Sequence, residues 1–349
     1  MGNKPGWKQR YDTLKGFIAS NPGISINAWE TSIPSHLRDR FYSQFDDVRR
    51  AFIESCKSPF YSDVCALGKA YAEAEELLFT RLALSKHIEL PVDLSSLLYT
   101  PQEGLMRLIY DPLFELVQEK ITETDFEMAA QKSLEANAPQ MYMLGYQLWA
   151  AVSIMLLLEP DSIHRVSLDH EGKPFLEALD SIVIGSQHHH PSKRIPEIVL
   201  HSKRLNIHVA FKMPVTREVD SYILPVELPT QKMLRERTGD TSSALSDRMI
   251  FISAVPDLER IPVFADLHER RIFSPDLTID FLTRHDLSDS TATGRVQSRI
   301  EIMKPRLGGH LVVINPKAGS KEYETEHKIT VCLAGLDKRR LRLIIDKLI

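Results

Sequence analysis

The first 160 residues place apolar side chains at intervals of three and four positions, the spacing of a helix that buries one face. One such series predicts a helix over about residues 35–56, and a second predicts another helix that starts near Ser62. Thr100 and Thr124 indicate two further helix starts, because each is followed by a glutamate three residues later. The two apolar series are Leu37, Phe41, Phe45, Val48 and Phe52, and then Leu67, Tyr71, Ala74, Leu78 and Leu82.

The stretch 136–158 contains no charged residue and is long enough to span a membrane. Glu135 and Glu159 flank it, at positions where a membrane helix usually has basic anchors. We therefore expect a buried helix at the centre of a helical bundle, beginning near Asn137 and Pro139. Membrane insertion is the alternative interpretation of the same stretch.

Beyond Glu159 the helical spacing gives way to short runs of β-branched residues separated by Pro, Gly and charged residues. This pattern favours a mixed sheet with antiparallel hairpins. The sequence therefore predicts an α+β fold, with a helical N-terminal domain over 1–160 and a mixed, largely antiparallel α/β domain over 161–349. The predicted strands are 181–185, 197–201, 207–212, 222–228, 249–255, 311–315 and 328–334, and the predicted helices in this half are 173–180, 295–303 and 337–349.

The charge balance argues against two classes of partner. The 349 residues include 43 basic and 47 acidic side chains, which give a formal net charge of −4. Proteins that coat nucleic acids or bind anionic membranes usually carry a positive excess. A nucleic-acid partner and a membrane are therefore not favoured, and we expect a protein or a small molecule as the partner.

The three cysteines form no CxxC motif and cannot all pair with one another. A disulfide framework is therefore not expected, and the reducing cytoplasm is the compartment that the sequence favours.

The segment 195–214 predicts an antiparallel hairpin, because two alternating apolar runs flank the polar residues 202–206. A turn centred between Arg204 and Leu205 pairs residues whose numbers sum to 409. Glu197 then faces Lys212, and His201 faces His208. All four side chains fall on the face opposite the predicted core.

Histidines directly across a strand pair have Cβ atoms about 5 Å apart, so two imidazoles can reach one metal ion. Neutral imidazole is a common ligand of Zn²⁺. We therefore predict His201 and His208 as metal ligands, with His189 of the upstream run 188–190 as a third. The alternative is that these histidines are solvated or hydrogen-bonded side chains with no ligand.

The same hairpin loosely resembles metal-dependent nucleases of the PD-(D/E)xK kind, through Pro196-Glu197 on one strand and Ala210-Phe211-Lys212 on the next. The resemblance implies that Glu197 would help to hold Mg²⁺ and that Lys212 would steady the attacked phosphate. The pattern departs from that family at Ala210, where an acidic residue should stand. A simple Glu197–Lys212 ion pair is the alternative interpretation.

The sequence lacks the nucleotide-binding glycine motifs and the nucleophile motifs of common hydrolases. Two hypotheses follow. In the first, the chain is a soluble, cytoplasmic binding or interaction protein without catalysis. In the second, it is a metal-dependent phosphodiesterase or nuclease built on Glu197, Lys212, His201 and His208, with Zn²⁺ or Mg²⁺ as its cofactor.

Overall fold

A computed structural model of the chain has an α+β fold, as the sequence predicts, with helices in the N-terminal half and most strands in the C-terminal half. The structure describes residues 6–56, 59–85, 88–168, 170, 174–182, 198–212, 250–255, 265–266, 271–272, 275–314, 323–325 and 329–348. The predicted strand 222–228 lies outside the described residues, as does most of the predicted strand 181–185.

Helices dominate the chain up to residue 157. A short hairpin of two two-residue strands, β1 and β2, follows the first helix. The predicted helix over 35–56 is confirmed, and its apolar positions Phe41, Phe45 and Val48 are fully buried. The bounds are α1 Trp7–Ala19, β1 Ser25–Ile26, β2 Thr31–Ser32, α2 Ser35–Ser55, α3 Pro59–Leu82, α4 Val92–Tyr99, α5 Pro101–Arg107, α6 Tyr110–Val117 and α7 Glu123–Leu157.

An aromatic cluster joins three of these helices. The ring of Trp7 in α1 lies 5.9 Å from Phe52 in α2 and 5.0 Å from Phe126 in α7, and the two phenylalanine rings are 5.0 Å apart. The rings meet at tilted or edge-on angles, the geometry in which aromatic pairs add about 0.5–1.5 kcal/mol beyond the burial of their surface. This cluster therefore fixes how α1, α2 and α7 pack.

The uncharged stretch lies within α7, but the predicted start of its helix near Asn137 and Pro139 is wrong. α7 begins at Glu123, where Thr122 and Asp125 cap each other's backbone N–H groups, and it continues through Pro139. Every residue from 143 to 155 is buried, as expected for a helix that is apolar on all sides. Within the described residues, no helix combines the length and the apolar character needed to cross a membrane.

The second half contains a nine-stranded mixed sheet in the order β12-β13-β11-β10-β7-β6-β5-β3-β4. β10, β11 and β13 are parallel, and the strands from β4 across to β10 are antiparallel to their neighbours. The strand bounds are β3 Pro160–Leu168, β4 Pro174–Ala178, β5 Ile198–Ser202, β6 Ile207–Lys212, β7 Ile250–Val255, β8 Ala265–Asp266, β9 Arg271–Ile272, β10 Leu277–Leu282, β11 Gly308–Val313, β12 Tyr323–Glu324 and β13 Ile329–Cys332.

Helical elements also accompany these strands in the described residues. The predicted helix 295–303 is confirmed as part of a longer helix that Asp289 caps by accepting a hydrogen bond from the Thr291 N–H. Asp337 caps the last helical segment in the same way, through the Arg339 N–H. The elements are α8 Arg284–Leu287, α9 Ser290–Met303, and a 3-10 helix Lys338–Leu341 that leads into α10 Arg342–Ile345.

The predicted helix over 173–180 is wrong. These residues form the edge strand β4, which pairs with β3 from Leu168↔Pro174 to His164↔Ala178. An ion pair between Arg165 and Glu177, with nitrogen to oxygen distances of 2.8 and 2.9 Å, joins the two strands on one face. The pairing with β3 therefore overrides the weak helical spacing of the segment.

The chain divides into two compact units, one of 1–69 and 92–145 and the other of 70–91 and 146–349. The run of N-terminal helices ends at Leu157 and the first long strand begins at Pro160, close to the predicted change at residue 160. Each compact unit combines two separate segments of the chain, so this division does not test the predicted domain ranges 1–160 and 161–349, which remain predictions.

Candidate functional site

The predicted hairpin is present, in the predicted register. β5 and β6 pair from Ile198↔Phe211 to Ser202↔Ile207, and His201 lies opposite His208. The turn is closed by a hydrogen bond from the Asn206 N–H to the Ser202 carbonyl, 2.8 Å long, and Asn206 has a φ of 54°. Asparagine adopts this left-handed conformation more readily than most residues, which makes the turn feasible here.

Three histidines meet on one face of the sheet at this hairpin, and we call His164, His201 and His208 the histidine patch. The ring centres of His201 and His208 are 4.8 Å apart, and that of His164 in β3 is 5.9 Å from His208. The patch thus brings together the two histidines that the sequence paired and a third that it did not.

Asp161 orients one member of the patch. Its Oδ1 lies 2.6 Å from Nδ1 of His201, and this contact lowers the pKa of the Asp161 carboxyl below its usual range. A carboxylate at Nδ1 directs the Nε2 atom of the same imidazole toward any ligand, as it does for histidines that bind metals.

The other two imidazoles favour the neutral form. Burial is the main cause that lowers the pKa of His208, and the neighbouring His201 and His164 lower it further. Burial also lowers the pKa of His164, although the neighbouring Val199 backbone opposes that effect. Nδ1 of His164 is buried and has no hydrogen-bond partner among the described residues. Both rings therefore retain an unprotonated nitrogen at neutral pH.

A small apolar cluster continues the same face beside the histidine patch. Val166, Val199 and Ala210 are buried against one another, with Leu176 packed beside them. Ala210 is the position at which a PD-(D/E)xK enzyme would have its middle acid, and here it is fully buried among aliphatic side chains. An acidic side chain at this position would be desolvated.

Three predicted site residues remain: Lys212, Glu197 and His189. Lys212 ends β6, where its backbone pairs with Phe251 of β7. Glu197 and His189 lie outside the described residues. Their predicted roles, and the predicted pairing of Glu197 with Lys212, remain predictions.

In the described parts of the chain, no group of three or more His, Cys, Asp and Glu side chains is arranged to hold a metal ion. The histidine patch is therefore not a complete ligand set as it stands. It provides two closely spaced imidazoles, those of His201 and His208, and a supporting carboxylate.

Sequence reasoning missed His164 and Asp161, because it did not predict β3. The pairing of β3 with β5 shifts register between Pro160 and Ser162, so that Asp161 is the extra residue of an irregularity in the strand. Such a bulge changes the direction of a side chain relative to regular alternation. The short spacing of Asp161 and His164 was visible in the sequence, but nothing in it indicated the bulge.

Compared with known protein families, with curated proteins and with solved structures, the chain gives no match. Any functional conclusion therefore depends on the geometry of the chain itself.

Proposed function

We propose that this protein is a binding protein and that its histidine patch binds a divalent transition-metal ion through His201 and His208. The observation that carries the proposal is the 4.8 Å separation of these two rings. Imidazole nitrogens lie about 2.0–2.1 Å from Zn²⁺, so two rings on one tetrahedral ion have centres about 5 Å apart. The backbone of the hairpin already holds the two histidines at this separation.

Two further contacts support the proposal. Asp161 occupies Nδ1 of His201, which leaves Nε2 as the metal-binding atom. The lowered pKa of His208 leaves a neutral imidazole at neutral pH, and only the neutral form binds a metal. Water, or side chains beyond the described residues, would complete the coordination.

The proposal does not include catalysis. The hydrolase hypothesis requires two carboxylates beside Lys212, and the position for one of them is the buried Ala210. Any Mg²⁺- or Mn²⁺-dependent cleavage of DNA or RNA that is lost in a Lys212→Ala variant would overturn this part of the proposal and support the enzyme.

The metal proposal is tested by titrating Zn²⁺ and Ni²⁺ into the full chain, without an affinity tag, in a calorimeter. We expect one ion per chain, with binding weakened at least about tenfold in His201→Ala and in His208→Ala, and about tenfold in Asp161→Asn. His36→Ala is the matched control, because His36 is exposed on α2 and should leave binding unchanged.

Two results would contradict the metal proposal. The first is unchanged affinity in both His201→Ala and His208→Ala. The second is complete loss of binding when residues 188–190 are replaced by alanine, with His201→Ala and His208→Ala unaffected. A partial loss in the 188–190 variant, together with losses in the two patch variants, would support the patch with an added ligand from the run that contains His189.

A further inference from the structure

A separate cavity lies in the helical unit, and all of its lining residues belong to that unit. Its volume is about 260 Å³. An apolar cavity of about 150 Å³ is enough to admit benzene, so this one has room for a two-ring aromatic molecule. The lining residues are Ile53, Cys56, Tyr61, Leu105, Leu134, Glu135, Ala138 and Pro139.

Apart from Glu135, the described lining residues are apolar or neutral. Ile53, Leu105 and Ala138 are buried at its base. Burial raises the pKa of the Cys56 thiol, which is therefore uncharged at neutral pH. The Tyr61 hydroxyl is also neutral, since burial and a hydrogen bond with Cys65 raise its pKa. The interior thus accepts the body of an uncharged molecule.

Pro139 lies in the interior of α7, where it changes the hydrogen bonding of the helix backbone. Proline has no N–H group, so the carbonyl of Glu135, four residues before Pro139, cannot accept its usual helical hydrogen bond. Both residues line the cavity. A carbonyl left without its helical partner favours a ligand that donates one hydrogen bond.

Two carboxylates among the described residues disfavour anions at this cavity. Glu135 is exposed, and its carboxylate accepts a hydrogen bond from Gln131 Nε2 at 2.8 Å. Glu54, which is also exposed, lies close enough to Tyr61 to raise the pKa of that hydroxyl. Two carboxylates beside an apolar cavity repel a ligand that carries a carboxylate of its own.

From these features we infer that the cavity binds a small uncharged aromatic molecule of about two rings that donates one hydrogen bond to the Glu135 carbonyl. The apolar rings fill the space between α2, α3, α5 and α7, and the hydroxyl or N–H group points toward the turn before Pro139. The cavity is distinct from the histidine patch, and the inference does not depend on the metal.

The experiment measures binding of three probes to the full chain by calorimetry: 2-naphthol, which donates a hydrogen bond, naphthalene, which does not, and 2-naphthoate, which is an anion. We expect 2-naphthol to bind with one site per chain and to bind at least about tenfold more tightly than 2-naphthoate. Equal or tighter binding of 2-naphthoate, or no binding of 2-naphthol, would overturn the inference.

Two variants fill the cavity from different helices. Ala138→Leu fills it from α7 and Cys56→Leu from the end of α2. Each substitution should abolish binding of 2-naphthol. A cooperative thermal unfolding transition checks that each variant is folded. Ala136→Leu is the matched control, because Ala136 is exposed on the same helix. If a filled variant is folded and still binds 2-naphthol as tightly as the parent protein, the probe binds elsewhere.

A third variant tests the hydrogen bond itself. Pro139→Ala restores an N–H group that can bond to the Glu135 carbonyl, so it removes the acceptor; it also removes part of one apolar wall, a change that both probes sense. We expect binding of 2-naphthol to weaken about three- to tenfold more than binding of naphthalene, the equivalent of one hydrogen bond. Equal losses for both probes, or no loss for either, would overturn the assigned role of the carbonyl.

Discussion

Replacing Gly104 with alanine is expected to lower the free energy of unfolding by about 3 kcal/mol. Overpacking usually costs about 1–3 kcal/mol, and the cost is at the upper end of this range when backbone atoms must move. Gly104 lies in α5, where it is buried against α4. A Cβ atom at this position would lie 2.7 Å from both Cα and N of Leu97 and 3.0 Å from the Ser96 carbonyl carbon. These neighbours are backbone atoms of a helix, so no side-chain rotation can relieve the contact.

Gly16 offers the matched control for this substitution. It also lies in a helix of the same unit, but a Cβ atom there would meet nothing within 4 Å. Gly16→Ala should therefore stabilise the protein by about 0.5–1 kcal/mol, through the better helix propensity of alanine. Chemical denaturation of both variants tests the pair. Equal stability changes for Gly104→Ala and Gly16→Ala would show that α4 and α5 do not approach so closely.

Replacing His310 with leucine is expected to remove a large part of the loss of stability in acid. His310 lies in β11 with only 1% of its surface exposed, and its Nδ1 has no hydrogen-bond partner in the described part of the chain. Burial, and then the nearby charge of Lys347, lower its pKa to about 4. The imidazole is therefore held neutral in the folded protein.

The direction of the pH effect follows from the two pKa values of His310. At pH values between the unfolded pKa of about 6.5 and the folded pKa of about 4, the imidazole binds a proton in the unfolded chain but not in the folded chain. The free energy of unfolding therefore decreases as the pH falls through this range, by up to about 3 kcal/mol from this one group. Above pH 6.5 the group makes no pH-dependent difference to stability.

Urea unfolding of His310→Leu and of the parent protein, at several pH values from 7.5 to 4.5, measures this contribution. The free energy of unfolding of the variant, relative to that of the parent, should be about 2–3 kcal/mol greater at pH 4.5 than at pH 7.5. His36→Ala, which changes an exposed histidine, should follow the pH dependence of the parent. Parallel curves for His310→Leu and the parent would contradict the proposed burial of a neutral imidazole.

The hairpin of the histidine patch could be predicted from the sequence because local signals agree there. Ile198 and Leu200 alternate in one run and Val209 and Phe211 in the other, and a polar turn of fixed length sets the register between them. A shift of one residue would move the apolar residues of one strand away from the core. The position of His201 opposite His208 followed from these constraints alone.

Other parts required information that a local pattern does not contain. β4 has a helical spacing of apolar residues, yet its backbone pairs with β3. Pro139 resembles the first residue of a helix, but α7 tolerates it in its interior. Asp161 reaches His201 through a strand irregularity. For β4 and Asp161, the outcome depends on pairing with residues distant in sequence, which a local pattern does not contain.

The interleaving of the two compact units has a consequence for the order in which the chain folds during synthesis. The segment 70–91 belongs with 146–349, although 92–145 completes the other unit first. Tyr71, Ala74, Leu78 and Ile88, all buried in the finished protein, are thus made long before the strands of their own unit. During synthesis, these residues wait for the rest of their compact unit until the ribosome has added residues after 145, and this is the interval in which chaperones would be most needed.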